Sequence, residues 1–370
     1  MRLGSTFLFS GIGILAMAIA LCATTLAQTS QPSQSSPSTQ PAAAGQVPDA
    51  GPPRTATPPA SAQQPSGQDP TETQPAGDQQ QPITPNASAD DSGRFVFRKQ
   101  VQEVVLHATV VDETGRPVTG LDRSAFSIYV NGIPEPITSF HREDVPVAMG
   151  VVIDNSGSMR DKREKVNQAV LNLIRTSNPQ DEIFVVNFSQ TPYLDQDFTS
   201  DVNLLQTALH QGSTRGSTAL YDAVVASAVH LQNNPRLTKK VLLVITDGQD
   251  NMSRETLQEA MRKLQPNKGA TLYAIGLTDE GLTRTGRDAL QNLATGTGGV
   301  AFFPQSLNEV DAITRTVARD IRSQYTLAFK PGNGAAQKGY QAIRVEAKGQ
   351  GRSRLIVRTR SGYYPGETLR

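Results

Sequence analysis

The fold is decided by the stretch VAMGVVIDNSGS, which occupies positions 147–158. Its first seven residues form a nearly continuous apolar run, as expected for a β-strand that is covered on both faces. A polar, turn-forming segment follows at once, and a helical pattern begins after it. A strand that leads through such a loop into a helix is the first unit of an alternating β/α arrangement.

The same alternation continues to about residue 323. Further apolar runs predict strands at Ile183–Phe188, Val241–Ile245, Thr271–Leu277 and Val300–Phe303. Amphipathic patterns predict helices at Lys162–Arg175, Val202–His210, Leu220–Leu231, Arg254–Leu264, Arg284–Ala294 and Leu307–Arg322. Because this alternation implies right-handed crossovers, we predict an α/β fold with a doubly wound, mainly parallel, Rossmann-like sheet over residues 146–324.

Strand signals without helices precede this region, in residues 93–145. A β-branched run ends at Val111, and Phe126–Val130 alternates between apolar and polar residues. Asn131-Gly132 is a strong hairpin signal, so Ile133–Phe140 is predicted to return as the partner strand. Pro134 and Pro136 indicate that this strand lies at a sheet edge.

Strand signals also follow the α/β region, in residues 325–370. The predicted strands are Tyr325–Phe329, Tyr340–Ala347 and Leu355–Thr359. We expect the two flanking segments to pair into one accessory β module. Arginines alternate along the last strand and predict one solvated face; they are Arg352, Arg354, Arg358 and Arg360.

The N-terminal segment predicts export. Arg2 precedes an uncharged, largely apolar run, Phe7–Ala23, and Thr25-Leu26-Ala27 resembles a signal peptidase recognition triplet. Residues 1–27 are therefore interpreted as a signal peptide of a periplasmic, cell-envelope or secreted protein. An uncleaved N-terminal membrane anchor is the alternative, since the run nearly reaches membrane-spanning length. Lipid attachment at Cys22 is disfavoured by Leu21, because a lipobox has a small residue there.

Residues 28–92 differ sharply in composition, being rich in Gln, Pro, Ser, Thr, Ala and Gly. Burial of so few apolar side chains cannot offset the entropy of ordering the chain, so we predict a disordered linker. It is interpreted either as a spacer that holds a domain away from an envelope surface or as a tail without a specific role.

The amino-acid composition disfavours nucleic-acid binding, disulfide-stabilised folds and histidine metal sites. The formal net charge is +1 and the chain contains no tryptophan, which disfavours a nucleic-acid partner. The only cysteine lies inside the predicted signal, so a mature exported chain would hold its fold without disulfides. The four histidines lack paired metal-ligand spacing and are interpreted as ordinary surface or hydrogen-bonded residues.

Three short motifs carry candidate chemistry. Asp154, Ser156 and Ser158 alternate directly after the first strand, and ligand sites of open α/β sheets lie at the carboxyl ends of strands. Thr218 lies in a Gly-Ser-Thr segment before a helix, and Asp247 follows the strand Val241–Ile245. Each motif alone is also good turn or capping chemistry. Together they form an all-oxygen set suited to Mg²⁺ or Mn²⁺.

These five residues, in this order, resemble the metal ion-dependent adhesion site of the von Willebrand factor A domain family. The resemblance covers about Pro146 to Gln324, and the flanking β segments look like those of a bacterial exported subfamily. It implies that the serines and Thr218 contact the metal directly, while the aspartates act partly through bound water. It also implies an open coordination position that accepts an acidic side chain of a protein partner.

The resulting hypothesis is an exported, metal-dependent protein-binding module for adhesion or scaffolding, and not an enzyme. One alternative is a structural envelope protein in which the metal serves stability. A phosphatase-like hydrolase is the other, but Ser156 stands where such enzymes place a second carboxylate. Gly296-Thr297-Gly298-Gly299 precedes a strand rather than a helix, so it is interpreted as a helix-to-strand turn and not a phosphate cradle.

Overall fold

A computed structural model describes residues 87–89, 95–97, 103–142, 144–234, 236–277, 282–332, 339–349 and 354–366. The predicted signal (1–27) and all of the predicted linker except residues 87–89 lie outside these residues. Residues 82–370 form one compact unit, to which the following description applies. No helix in the described part of the chain is long and apolar enough to cross a membrane.

The N-terminal flank consists of short antiparallel strands. In chain order they are β1 (Ala87–Ala89), β2 (Phe95–Phe97), β3 (Val104–Val111), β4 (Phe126–Val130), β5 (Ile133–Glu135) and β6 (Ile137–His141). Strands β1 and β2 pair with each other. Asn131 and Gly132 both have positive φ, at 50° and 83°, as a tight two-residue hairpin between β4 and β5 requires.

The α/β region alternates strands and helices as the sequence predicts. Its strands are β7 (Val147–Asp154), β8 (Glu182–Phe188), β9 (Pro192–Thr199), β10 (Lys239–Thr246), β11 (Thr271–Gly276) and β12 (Ala301–Phe302). Its helices are α1 (Arg163–Arg175), α2 (Val202–Leu209), α3 (Leu220–Gln232), α4 (Leu257–Leu264), α5 (Arg284–Thr297) and α6 (Val310–Arg322).

The six strands of this region form one sheet in the order β12-β11-β10-β7-β8-β9. All neighbours are parallel except β8 and β9. Helices α1, α2 and α6 bury apolar side chains against one face, and α3, α4 and α5 against the other. The predicted doubly wound, mainly parallel α/β fold is therefore confirmed.

The C-terminal flank completes the accessory β module. Its strands are β13 (Tyr325–Phe329), β14 (Gln341–Ala347), β15 (Ile356–Arg358) and β16 (Gly362–Tyr363). They join the N-terminal strands in two antiparallel sheets, with the orders β15-β3-β13-β6 and β16-β14-β4-β5. The two sheets share a core that includes Leu106, Phe126 and Tyr325. The predicted pairing of the two flanks into an accessory module is confirmed.

Several strands differ from the prediction: β1 lies in the segment predicted as a linker, and β16 was not predicted. Strand β9, with the sequence PYLDQDFT, was not predicted, because an exposed edge strand needs no apolar run. The predicted strand Ile133–Phe140 is two strands. Its first part, β5, lies at one sheet edge beside β4, and its second part, β6, crosses to β13 in the other sheet. Pro136 lies between the two parts, and because proline has no backbone N–H it cannot donate the hydrogen bond that would continue one strand through this position.

Helix α4 begins three residues later than predicted because of its cap. The Thr256 side chain accepts a hydrogen bond from Glu259 N, and the Glu259 carboxylate accepts one from Thr256 N, which is a complete capping box. Helix α5 ends at Gly298, whose φ of 88° and whose contact with the backbone of Thr359 require glycine. The predicted helix-to-strand turn is thus confirmed.

The predicted solvated arginine face is wrong for two of its members. Arg360 is only 7% exposed, and its guanidinium donates to the carbonyl oxygens of Val105, Pro266 and Asn267, each at 2.8 Å. Arg358 donates to Asp320 Oδ1 at 2.6 Å. Arg358 and Arg360 therefore pack against the α/β region instead of facing water, whereas Arg354 is exposed as predicted and Arg352 lies outside the described residues.

Candidate metal centre

Four candidate residues lie on three loops at the carboxyl edge of the central sheet, and the fifth, Asp154, is the last residue of β7. The loops are the β7 loop (residues 155–162), the α3 loop (residues 210–219) and the β10 loop (residues 247–256). Strands β7 and β10 are parallel neighbours, so the loops that follow them emerge side by side. The α3 loop joins them by backbone hydrogen bonds, from Arg215 N to Asn155 O at 2.9 Å and from Gly157 N to Gly216 O at 3.3 Å.

Asp154 is the last residue of β7, and its side chain is fully buried. Its Oδ1 accepts a hydrogen bond from Ser156 N at 2.8 Å, and its Oδ2 accepts one from Thr246 Oγ1 at 2.6 Å. The pKa of Asp154 is raised to about 6, chiefly by burial and also by the charge of Asp247, against the lowering effect of these hydrogen bonds. Two buried carboxylates thus lie close enough to repel each other.

Ser156, Ser158 and Asp247 form a continuous chain of oxygen atoms. Ser156 Oγ and Ser158 Oγ are 3.2 Å apart, and Ser158 Oγ donates to Asp247 Oδ1 at 2.7 Å. Asp247 is fully buried at the end of β10. Its other oxygen, Oδ2, accepts a hydrogen bond from the Lys162 ammonium.

Thr218 approaches the same place from the α3 loop. It is buried, and its backbone N–H and carbonyl are both bonded to Asn251 of the β10 loop, at 2.9 and 3.0 Å. A Cβ at Gly248 would lie 3.3 Å from Thr218 Oγ1, so the backbone directly after Asp247 packs against this hydroxyl. The structure therefore brings all five candidate residues to one edge of the sheet.

Two residues that contact the candidate set were not selected from the sequence. Thr246 bonds to Asp154, and its hydroxyl also holds Gly248 N at 3.1 Å, so it ties the β7 and β10 ends together. Lys162 forms the ion pair with Asp247. Thr246 directly precedes Asp247 and could have been found by its position. Lys162 is four residues beyond Ser158, and no local pattern separates it from a surface lysine.

The arrangement fits a hard divalent cation. Every candidate donor is an oxygen, and two buried carboxylates with three adjoining hydroxyls supply the charge and the polar atoms that Mg²⁺ or Mn²⁺ prefers. Burial, and to a smaller extent the charge of Asp247, raise the pKa of Asp154, and a bound cation would favour its ionised form. No group of three or more His, Cys, Asp or Glu side chains in the described ranges is placed to hold a metal, and this centre combines two aspartates with three hydroxyl groups.

A cleft of about 670 Å³ adjoins this centre. It lies between the α3 loop and the β8–β9 turn, and Tyr193, Asp195 and Arg215 are among its lining residues. Asn155, between two of the candidate ligands, also lines it. The buried Oδ1 of Asn155 accepts no hydrogen bond from any described residue.

Comparison with known proteins identifies a family that this region resembles. Residues 149–249 match the family described as von Willebrand factor type A domain, and all five candidate residues lie inside that range. No curated protein matches the chain.

Several solved structures are similar to the chain. Proximal thread matrix protein 1 from the mussel byssus, with a zinc-occupied MIDAS motif, is 19% identical with a TM-score of 0.40 over 48% of each chain. BatB from Bacteroides thetaiotaomicron is 18% identical with a TM-score of 0.38, over 47% of this chain and 98% of its own. A von Willebrand factor type A protein from Catenulispora acidiphila is 14% identical with a TM-score of 0.43, over 73% and 76%.

The chain thus spans about half the length of the mussel protein. The sheet order, the helices on both faces and the family match agree on the fold. The α/β region of this protein is similar to a von Willebrand factor type A domain over residues 149–249.

Proposed function

We propose that this chain is an exported protein-binding module whose α/β region holds Mg²⁺ or Mn²⁺ and uses it to accept an acidic side chain of a protein partner. The ligands would be Asp154, Ser156, Ser158, Thr218 and Asp247. The observation that supports the proposal most strongly is the convergence of these side chains from three separate loops, with the direct Ser158–Asp247 hydrogen bond at 2.7 Å.

Each residue has a distinct task in this proposal. The hydroxyls of Ser156, Ser158 and Thr218 would face the ion, and the carboxylates of Asp154 and Asp247 would supply the negative charge that retains it. Thr246 orients Asp154 through its hydroxyl. Bound Mg²⁺ or Mn²⁺ would supply an electrophilic centre at which a partner carboxylate replaces water.

The cleft beside the centre supports binding of a protein segment. Arg215 supplies positive charge and Tyr193, 62% exposed, supplies apolar surface next to the candidate ligands. Exposed aromatic and arginine side chains are the residue types that carry most binding energy at protein interfaces. A partner segment whose acidic side chain reaches the metal would lie along this cleft.

Direct binding measurements test the metal centre. The full chain, freed of metal with EDTA, is titrated with Mn²⁺ while free Mn²⁺ is followed by electron paramagnetic resonance. Wild type should bind one ion, and Asp154→Ala should lose at least most of this affinity. Asp288→Ala is the matched control, since Asp288 is an exposed carboxylate on α5, and it should bind as wild type does. Absence of Mn²⁺ binding by wild type would overturn the proposal.

Partner capture separates binding from the two alternatives. Wild type, Asp154→Ala and Asp288→Ala are used as bait with envelope extract in Mg²⁺ and in EDTA. The proposal expects proteins that are retained by wild type and Asp288→Ala in Mg²⁺ alone. Identical capture by all three proteins in both conditions, with a lower melting temperature of Asp154→Ala, supports a structural metal instead. Hydrolysis of p-nitrophenyl phosphate that Asp154→Ala loses would point to the hydrolase.

A further inference from the structure

Lys162 places a positive charge inside the candidate metal centre. It directly precedes α1, and the 3-10 turn at Gly157–Met159 carries the chain back over the centre, with Lys162 N donating to Met159 O at 3.0 Å. The side chain is only 12% exposed, and its ammonium donates to Asp247 Oδ2. A long, flexible cation is thus ordered against a fully buried carboxylate that the proposed function assigns to the metal.

The ion pair changes the net charge of the candidate centre. Among the described residues that donate hydrogen bonds to the carboxylates of Asp154 and Asp247, Lys162 is the charged one; the other donors are Ser156, Ser158 and Thr246. Two carboxylates and one ammonium sum to a charge of −1. With a divalent ion bound, the sum over these three side chains and the ion would be +1. Without Lys162, the sum over the two carboxylates and the ion would be zero.

Arg163 is a second buried cation near the centre, but its side chain hydrogen-bonds other groups. Arg163 donates to Asn187 Oδ1 at 3.0 Å and to Leu209 O at 2.9 Å, and it reaches only the main-chain oxygen of Asp154, at 3.5 Å. Its charge is attracted first by Asp154 and second by Asp195. Arg163 therefore lies near Asp154 without a hydrogen bond to either candidate carboxylate, whereas Lys162 hydrogen-bonds the Asp247 carboxylate directly.

We propose that Lys162 sets the charge of the metal centre, so that the loaded centre remains cationic and selects an anionic carboxylate ligand at the expense of metal affinity. This inference rests on the proposed function, because it assigns Lys162 a role toward the same ion. Like charges disfavour each other, so the ammonium weakens retention of the divalent ion. The same ammonium adds to the attraction for an incoming carboxylate.

The two effects have opposite signs, which distinguishes this role from a structural one. Removal of the charge should strengthen metal binding and weaken carboxylate binding in the same variant. A residue that merely held α1 or the β7 loop in place would move both affinities downward when it is replaced. Lys162→Met removes charge and hydrogen bond together, and Lys162→Gln removes the charge while it keeps a donor for Asp247.

The test uses the full chain and two probes. Mn²⁺ alone is titrated into metal-free protein, with free Mn²⁺ followed by electron paramagnetic resonance. Acetate is then titrated into the Mn²⁺-loaded protein, with acetamide as the uncharged control, and water proton relaxation reports displacement of Mn²⁺-bound water. Lys162→Arg keeps the charge, and Lys165→Met is the matched control, since Lys165 is an exposed lysine in the first turn of α1, bonded to Asn308.

Lys162→Met and Lys162→Gln should each bind Mn²⁺ on the order of tenfold more tightly and require several-fold more acetate for half-displacement. Lys162→Arg and Lys165→Met should match wild type in both titrations. Unchanged affinities in the two neutral variants, or a shift of both affinities in one direction, overturn the role of Lys162. Failure of wild type to bind Mn²⁺ overturns the proposed function itself, so the two failures are distinct.

Folding of the variants is measured first, by circular dichroism in EDTA. If Lys162→Met does not fold, Lys162→Gln decides the outcome, because its donor replaces the hydrogen bond to Asp247. If neither variant folds, Lys162 is a structural residue and the inference is wrong.

Discussion

The two ends of the central sheet bury charge in opposite ways. At the amino edge the cations Lys239, Arg322, Arg358 and Arg360 lie between the α/β region and the accessory module. There Arg322 binds Asp144 and Asp181, and Arg358 binds Asp320. At the carboxyl edge two buried carboxylates face mainly hydroxyl groups and one lysine.

The amino edge is a buried contact between two parts of the chain, here called the joint, whereas the carboxyl edge is a candidate binding site. At the amino edge the protein itself supplies carboxylate or main-chain carbonyl partners for these cations, so they connect parts of the chain and need no further ligand. The carboxyl edge keeps an excess of negative charge on oxygen atoms that hydrogen-bond chiefly to neutral groups. Such an excess is what an external cation neutralises. The contrast predicts that changes at the amino edge act on stability alone, whereas changes at the carboxyl edge act on metal binding.

The largest effect is expected for Arg360→Ala. This change removes the donor to three carbonyl oxygens in a buried joint, and unpaired buried groups are costly. The free energy of unfolding should fall by about 3 to 5 kcal/mol. Urea denaturation of the full chain measures it.

Arg116→Ala is the control for Arg360→Ala. Arg116 is an exposed arginine of the same module, paired with Asp112 at 3.2 Å, and its loss should cost less than about 1 kcal/mol. Equal effects of the two changes would contradict the distinction between a buried joint and a surface ion pair.

The second prediction concerns the pH dependence of stability at the amino edge. Lys239 is buried and donates to Ile321 O, and its pKa is lowered to about 8, chiefly by burial and also by Arg322. Its neighbours Asp144, Asp181 and Asp320 act in the opposite direction. Between pH 8 and the ordinary lysine pKa, the unfolded chain holds a proton that the folded chain has released.

Stability should therefore rise with pH across that window, by about 3 kcal/mol in total from this group. The measurement is the difference in free energy of unfolding between wild type and Lys239→Met, from urea denaturation at pH 7, 9 and 10.5. The difference should shift in favour of wild type as pH increases. A difference that stays constant from pH 7 to 10.5 would show that Lys239 is not the responsible group.

The third prediction concerns metal-linked stability at the carboxyl edge. Mg²⁺ at about 100 times its dissociation constant should raise the free energy of unfolding by roughly 2.7 kcal/mol, because it binds the folded chain alone. Thermal melting in Mg²⁺ and in EDTA measures this increase. Arg116→Ala should retain the increase in full and Asp154→Ala should lose it. Retention of the full increase by Asp154→Ala would place the ion elsewhere.

The smallest effect is expected for Thr256→Ala, which removes the cap of α4. This cap lies at the carboxyl edge but outside the metal centre, and water can replace its exposed hydrogen bonds. The free energy of unfolding should fall by about 1 kcal/mol, by urea denaturation, with the Mn²⁺ affinity unchanged. A changed Mn²⁺ affinity would show that the β10 loop transmits strain from the helix start to Asp247.

Much of the fold was predictable because local patterns report burial. The strands β7, β8, β10 and β11 are buried along their length and stand out as apolar runs. Strand β9 has no such run, since it is an edge strand in which none of the residues is buried. Arg360 alternates as a surface residue would, and only the packing of its strand against residues 266–267 makes it buried.

The candidate site was predictable in its residues but not in its electrostatics. Asp154, Ser156, Ser158, Thr218 and Asp247 could be selected because their loops follow or precede strands and helices in a recognisable order, and their role as metal ligands stays a prediction. The ion pair between Lys162 and Asp247 spans 85 residues of sequence. No local pattern predicts it.

By itself the sequence determined the alternation of strands and helices and the carboxyl-edge position of the motifs, because apolar periodicity and loop order are local properties of the chain. The tertiary structure alone decided which charges are buried together. It placed arginines in the joint at one end of the sheet and one lysine among the carboxylates at the other. The interaction of charges depends on the distance and the burial that packing creates, and neither can be obtained from neighbours in sequence.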